Sequence, residues 1–242
     1  MIHIHVIGDS TAASKINEKR PETGWAEKLG DFFSSDIRVI NYAQNGRSTK
    51  SFIDEGLFKN VLKALKPNDF LLIQFGHNDE KVQDQSRYTH PFKDYQDNLS
   101  YFIHQAKKLG VTPIILSSVT RRSFIGKHRI KRHAVGLYPV AAKLLAQREN
   151  IIFLDIFKKS KQLLEYLDIE HSKQLFLHLN PNQYETYPNG VADNTHLNQL
   201  GALVIASLIA EELLFSRIEH KLKDYIKETR LINMIDVKRA LK

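Results

Sequence analysis

Five residues of this chain have types and settings suited to nucleophilic chemistry: Ser10, Gly46, Asn78, Asp193 and His196. Ser10 stands in Gly8-Asp9-Ser10-Thr11, directly after an alternating apolar run and ahead of a segment that reads as helical. A serine hydroxyl is a poor nucleophile until a base takes its proton, and that base needs an acceptor to orient it. His196 is the candidate base. Asp193, three residues earlier on a loop running into a helix, can accept from the imidazole Nδ1–H while Nε2 faces the serine. Acyl transfer by such a group also calls for donors to a tetrahedral oxyanion, each worth about 10²–10³ in rate. Gly46 offers a backbone N–H with no side chain in front of it, Asn78 a side-chain amide, and Ser10 its own N–H.

Each motif alone has a plain structural explanation as well. Serine and aspartate are favoured helix N-caps, which covers both Ser10 and the Asp193–Asn194 pair. Gly46 and Asn78 are ordinary turn residues. Gly8-Asp9-Ser10 is not the G-x-S-x-G elbow, which disfavours the α/β-hydrolases. Placement along the chain separates the two explanations.

Short apolar runs recur at Ile2 to Ile7, Ile37 to Asn41, Phe70 to Phe75, Pro113 to Ser117 and Ile151 to Leu154. Four of them are nearly continuous and β-branched, as parallel strands covered on both faces should be. Helical patterns fall between them at 57–65, 92–109, Pro139 to Arg148 and Asn198 to Phe215. The alternation predicts an α/β domain with a doubly wound, five-stranded parallel sheet. Ser172 to Asn194 shows no period and is expected to be one long loop. Ligands of such sheets bind beyond the carboxyl ends of the strands. Ser10, Asn41 to Gly46 and Gly76 to Asp79 each follow a strand directly, so three polar clusters converge on one edge.

The 242 residues, 42% hydrophobic, suffice for one sizeable core. Without cysteine there is no disulfide and no thiolate chemistry. Met1 leads straight into a strand pattern, and no apolar run is long enough to span a bilayer, so a soluble, cytoplasmic protein is expected. The net charge of +8 raises the question of nucleic acid. About half of that excess sits in residues 217–242, where eight basic residues are interleaved with four acidic ones. Such interleaving marks a solvated helix face, and no nucleic-acid partner is expected. The expected division is a domain over 1–216 and a basic helical tail over 217–242.

The blocks GDST at 8–11, NGRS at 45–48, GHND at 76–79 and DNTH at 193–196, in that order, closely resemble those of the SGNH (GDSL-type) hydrolases. A narrower resemblance covers most of residues 1–215. IGDSTAA, NYAQNGRSTKSF, QFGHND, SVTRRSF and ADNTHLNQLGA look like the rhamnogalacturonan acetylesterase branch, with Leu197 standing where that branch often has an aromatic residue. The resemblance implies a flavodoxin-like three-layer α/β/α sandwich with no metal or organic cofactor. It implies a Ser10–His196–Asp193 triad with an oxyanion hole of Ser10, Gly46 and Asn78. The implied activity is deacetylation of pectin-derived carbohydrate, with a small acetylated oligosaccharide as partner.

Two other functions remain open from sequence. One is a lysophospholipase or thioesterase of the same superfamily, which needs an apolar trench that 172–194 does not advertise. The other is a non-catalytic binding protein, against which the intact four blocks speak. Arg121 and Arg122 follow a strand and suit either a structural ion pair or an acidic sugar. His77 is expected beside the pocket, Trp25 in the core. His128, His133, His171, His178 and His220 lack metal-ligand spacing such as H-E-x-x-H.

Overall fold

The computed structural model describes residues 1–216 and 220–241. The chain runs through β1 (Ile2–Gly8), β2 (Ile37–Asn41), β3 (Phe70–Gln74), β4 (Thr112–Leu116), three short strands β5 (Phe124–Ile125), β6 (Arg129–Ile130) and β7 (Ala134–Leu137), then β8 (Ile152–Leu154), β9 (Phe176–Leu179) and β10 (Val191–Leu197). Its helices are α1 (Ala26–Leu29), α2 (Thr49–Asp54), α3 (Leu57–Ala64), α4 (Asp94–Lys108), α5 (Tyr138–Arg148), α6 (Ile156–His171), α7 (Gln199–Leu214) and α8 (Met234–Ala240).

Five strands pair in parallel in the order β2-β1-β3-β4-β8. Successive residues of a strand point to opposite faces, and the core divides accordingly. Ile4, Val6, Leu72, Ile114 and Leu116 face a cluster built with Leu163, Leu164, Leu167 and the apolar α7. Ile7, Leu71, Ile73 and Ile115 face a second cluster with Phe52, Phe58, Phe102 and Leu145. The result is a flavodoxin-like three-layer α/β/α sandwich. Each large side chain fully buried this way stabilises the fold by ~1.5–3 kcal/mol.

The order reverses between β1 and β3, whose chain connections leave in opposite directions. That switch point opens a crevice at the carboxyl ends of the two strands. Ser10 follows β1 and Asn78 follows β3, so the fold places both at its edge.

Three features differ from the sequence reading. Residues 172–194 are not one loop: a 3-10 turn at Ser172–Leu175 leads into β9, and β10 returns antiparallel to it. The polar composition of Val191-Ala192-Asp193-Asn194 hides that second strand from a hydrophobicity pattern. No helix follows Ser10 directly; Asp9 to Ala13 is a single turn closed by Ala12 and Ala13 N–H on the Asp9 carbonyl. Finally, α6, a 16-residue helical span kinked at Asp168, whose φ is +74°, is absent from the sequence reading.

Residues 220–241 pack on the domain. Leu222, Val237 and Leu241 are buried in the cluster that includes α7. The Ser34 N–H bonds the Tyr225 carbonyl, Lys227 N–H bonds Phe32, and Ile232 N–H bonds Ser207 Oγ. The expected tail also includes 217–219 and 242, which lie outside the described residues.

Candidate active site

β1 ends at Gly8, where a Cβ would come within 2.7 Å of the Gln74 carbonyl oxygen; only glycine lets β1 and β3 close up here. Asp9 is fully buried. Its Oδ1 accepts from the Thr11 N–H at 2.9 Å and the Thr11 hydroxyl at 2.7 Å, while Oδ2 lies 2.9 Å from His77 Nδ1. Burial alone would raise the Asp9 carboxyl, but the His77 charge and hydrogen bond, with those of Thr11, hold it below the usual carboxylate range. The capping carboxylate is therefore Asp9. The half-buried Ser10 side chain is left to face outward.

Ser10 Oγ is 3.0 Å from His196 Nε2. His196 Nδ1 is in turn 2.7 Å from Asp193 Oδ2. The other Asp193 oxygen accepts the backbone N–H groups of Thr195 at 2.6 Å and His196 at 2.9 Å. Asp193 to His196 occupy a register shift in β10, between Ala192 opposite His178 and Leu197 opposite Phe176. Such a shift re-aims side chains that a regular ladder would alternate. Burial would raise Asp193, but its bonds from His196 and Thr195 bring it down to about 2. Burial would lower the His196 imidazole; the bond and charge of Asp193 outweigh this, and its pKa is raised above 6.5. The pair is thus a carboxylate orienting a strengthened base.

Gly46 lies in the turn after β2 with φ of +77°, a left-handed backbone that disfavours a side chain. The next helix, α2, starts on a capping box of Ser48 and Ser51. Asn78 is buried; its Nδ2 donates to the Arg47 carbonyl at 3.1 Å, leaving a second amide hydrogen for another acceptor. Its Oδ1 accepts from Arg87 at 3.4 Å. The loop after β2 and the loop after β3 are therefore bonded to each other.

Beside Gly46 opens a cleft of about 440 Å³, lined among others by Arg47, Lys50, Asp54, Glu55, Asp84 and Arg87. Its charges are paired: Arg47 with Glu55 at 2.7 Å, Lys50 with Asp54, Arg87 with Asp84 at 2.5 Å.

Residues 6–202 match the GDSL-like Lipase/Acylhydrolase family. The chain belongs to this family. Its members are ester hydrolases, and Ser10, Gly46, Asn78 and His196 all fall within the matched span. The rhamnogalacturonan acetylesterase RhgT of Bacillus subtilis is 39% identical over 210 residues, covering 87% of this chain and 88% of that protein. Among solved structures, Bacillus subtilis YxiM superposes with a TM-score of 0.75 at 22% identity, over 88% of this chain and 56% of that one. A catalytic mutant of Axe2, an acetylxylan esterase from Geobacillus stearothermophilus, gives 0.60 at 16% identity, over 91% and 97%. At these identities the two structures speak for the fold alone.

Other residues singled out in the GDSL-family sequence take structural places. His77 is buried, with Nε2 2.9 Å from the Val119 carbonyl. Trp25 is fully buried and donates to Gln74 Oε1. Arg121 pairs with Glu80. Arg122 is buried on neutral oxygens: Ser172 Oγ at 2.9 Å, Asn194 Oδ1 at 2.6 Å and the Ile169 carbonyl. It braces the bulge carrying Asp193 and His196. Among the described residues, one group could hold a metal: His3, His5 and Asp69. It sits at the opposite end of β1 from Ser10, and its groups already pair with one another at 3.0 and 3.3 Å. No helix among the described residues is long and apolar enough to cross a membrane.

The sequence reading passed over Lys15 and Glu22, which meet 2.8 Å apart under the Ser10 turn. It also passed over Asp79, buried on Thr49 and Thr89. Lys15 and Glu22 belong to no spaced motif; Asp79 closes the GHND block, but its burial shows only in the folded chain.

Proposed function

We propose that the chain is a carbohydrate O-acetylesterase that works through a Ser10 acyl-enzyme. What carries this is the hydrogen-bonded chain Ser10 Oγ–His196–Asp193. His196 takes the Ser10 proton as Oγ attacks the acetyl carbonyl, and Asp193 holds the imidazole in the tautomer that leaves Nε2 open. Negative charge on the tetrahedral oxygen is met by the N–H groups of Ser10 and Gly46 and by Asn78 Nδ2. As the intermediate collapses, His196 protonates the departing sugar alkoxide. Water then repeats the sequence on the acyl-enzyme, releasing acetate and restoring the serine.

The sugar half of the proposal is supported by the cleft of ion-paired side chains beside Gly46 and by the similarity to RhgT. A cleft lined with paired ions suits a hydroxyl-rich alcohol, whereas a long acyl chain calls for apolar walls. Acetylated rhamnogalacturonan fragments are therefore the first substrate class to test, with acetylated xylan and chitin fragments beside them. Acetate release should be fastest on the rhamnogalacturonan fragments. A strong preference for p-nitrophenyl octanoate over p-nitrophenyl acetate would overturn the acetylesterase reading in favour of a lysophospholipase or thioesterase. Full turnover in Ser10→Ala would overturn the nucleophile.

A further inference from the structure

The Lys15 side chain is almost completely buried, 1% exposed, beneath the turn that carries Ser10. An ammonium has three N–H groups and no acceptor, and here each finds an oxygen. Nζ donates to the Ser10 carbonyl at 2.6 Å, to Asn45 Oδ1 at 2.6 Å and to Glu22 Oε1 at 2.8 Å. The backbone of Lys15 is itself held: its N–H donates to Glu27 Oε1 at 3.2 Å and its carbonyl accepts from Arg20 at 3.0 Å. Arg20 and Glu27 also pair with each other at 2.6 Å.

The three acceptors come from three separate segments, and each borders a different part of the candidate machinery. Ser10 is the nucleophile. Asn45 immediately precedes Gly46, so fixing its side chain fixes the start of the peptide whose N–H would meet the oxyanion. Glu22 precedes Thr23, whose N–H bonds the carbonyl of Leu197, the residue after His196, at 2.9 Å. One cation thereby ties the turn after β1, the loop after β2 and the end of β10.

We propose that Lys15 is a positioning residue for the esterase reaction, its ammonium setting the mutual placement of Ser10, Gly46 and His196 without touching the ester. The inference rests on the reading of Ser10 as nucleophile. Displacing reacting groups by about 1 Å costs about 10²-fold in rate, and that loss falls on kcat, because the cleft that would hold the alcohol is built by other residues. The ammonium has a second effect through its charge. The charged groups facing His196 are Asp193, Glu22 and Lys15; the two carboxylates raise the imidazole and Lys15 lowers it.

The test uses the full chain with p-nitrophenyl acetate and three variants: Ser10→Ala, Lys15→Met, and Lys15→Met combined with Glu22→Met. Lys15→Met leaves Glu22 buried without its cation and lowers the melting temperature; the double variant replaces the ion pair with apolar groups of similar length and restores it. Positioning predicts that kcat stays about 10²-fold down in both, with KM within about twofold of wild type. In Lys15→Met the acid limb of kcat/KM moves to higher pH. If the double variant regains kcat together with its melting temperature, Lys15 is only scaffolding and the inference fails while the Ser10 reading stands. If Ser10→Ala retains turnover, both fail.

Discussion

His77 Nδ1 lies 2.9 Å from Asp9 Oδ2, joining the residue before Ser10 to the residue before Asn78. The two lie just beyond the ends of β1 and β3, strands that neighbour each other at the switch point of the sheet. His77 Nε2 points at the Val119 carbonyl, which can only accept, so the ring is held from both sides. The proposed nucleophile and the proposed oxyanion donor are thus mounted on one buried pair.

Removing one member of that pair strands the other. His77→Leu should lower stability by about 3 kcal/mol, because Asp9 would be left as a buried carboxylate without its partner. The measurement is the urea midpoint with its m-value. A change under about 0.5 kcal/mol, the range of ordinary surface substitutions, would mean the pair is not a support.

Asp193→Asn tests the base. The variant keeps the shape of the side chain but cannot hold His196 in the tautomer the reaction needs, and kcat should fall by about 10⁴-fold. The pH profile gives an independent check. In the wild type the acid limb of kcat/KM should lie above 6.5, since Asp193 raises the His196 imidazole. Without that carboxylate the limb should move to lower pH. A limb that stays in place would assign the titration to another group.

Much of this site is legible in the sequence because each part sits at the end of a strand pattern. Ser10 and His196 are 186 residues apart, yet the alternation of strands and helices places the ends of β1, β2 and β3 on one edge. The bulge that aims His196 is not legible, since Val191 to His196 alternates without an apolar face. Helix α6 left a usable signal that was passed over: Asp155 caps its first turn through Lys158 N–H, and Leu163, Leu164 and Leu167 share a buried face. The single residue between β8 and that helix leaves no turn motif to mark the boundary. Lys15 is invisible for a different reason. A lysine in a polar stretch reads as solvated, and only the folded chain shows that Glu22, Asn45 and the Ser10 carbonyl surround it.

Arg122 separates two readings that the sequence could not. An arginine gripping an acidic sugar should, when lost, raise KM for acidic substrates and spare neutral esters. The structure instead commits it to Ser172, the Ile169 carbonyl and Asn194 in the bulge. Arg122→Met should therefore leave those oxygens unsatisfied, at about 1–3 kcal/mol, and lower kcat on p-nitrophenyl acetate as well. An effect confined to KM for uronate-containing substrates would restore the acidic-sugar role.

Asp79 gives the last prediction, one of stability against pH. It is fully buried next to Asn78, with Oδ1 accepting from Thr49 and Thr89 while Oδ2 finds no partner among the described residues. Burial outweighs those hydrogen bonds and pushes its pKa up from 3.8 to about 7. A carboxyl raised on folding favours the protonated native state. Its contribution is complete below about pH 3.8 and is lost as pH climbs towards 7, where the native protein must carry a buried charge. Asp79→Asn keeps the Oδ1 acceptor and cannot ionise, so that loss should vanish. Between about pH 5 and pH 8 the wild-type unfolding free energy, from urea titrations, should fall by a few kcal/mol more than that of the variant. Other titrating groups, His196 included, are common to both proteins and cancel in the comparison. Parallel curves would show that Asp79 is ionised across the whole range and that its neighbours compensate its burial.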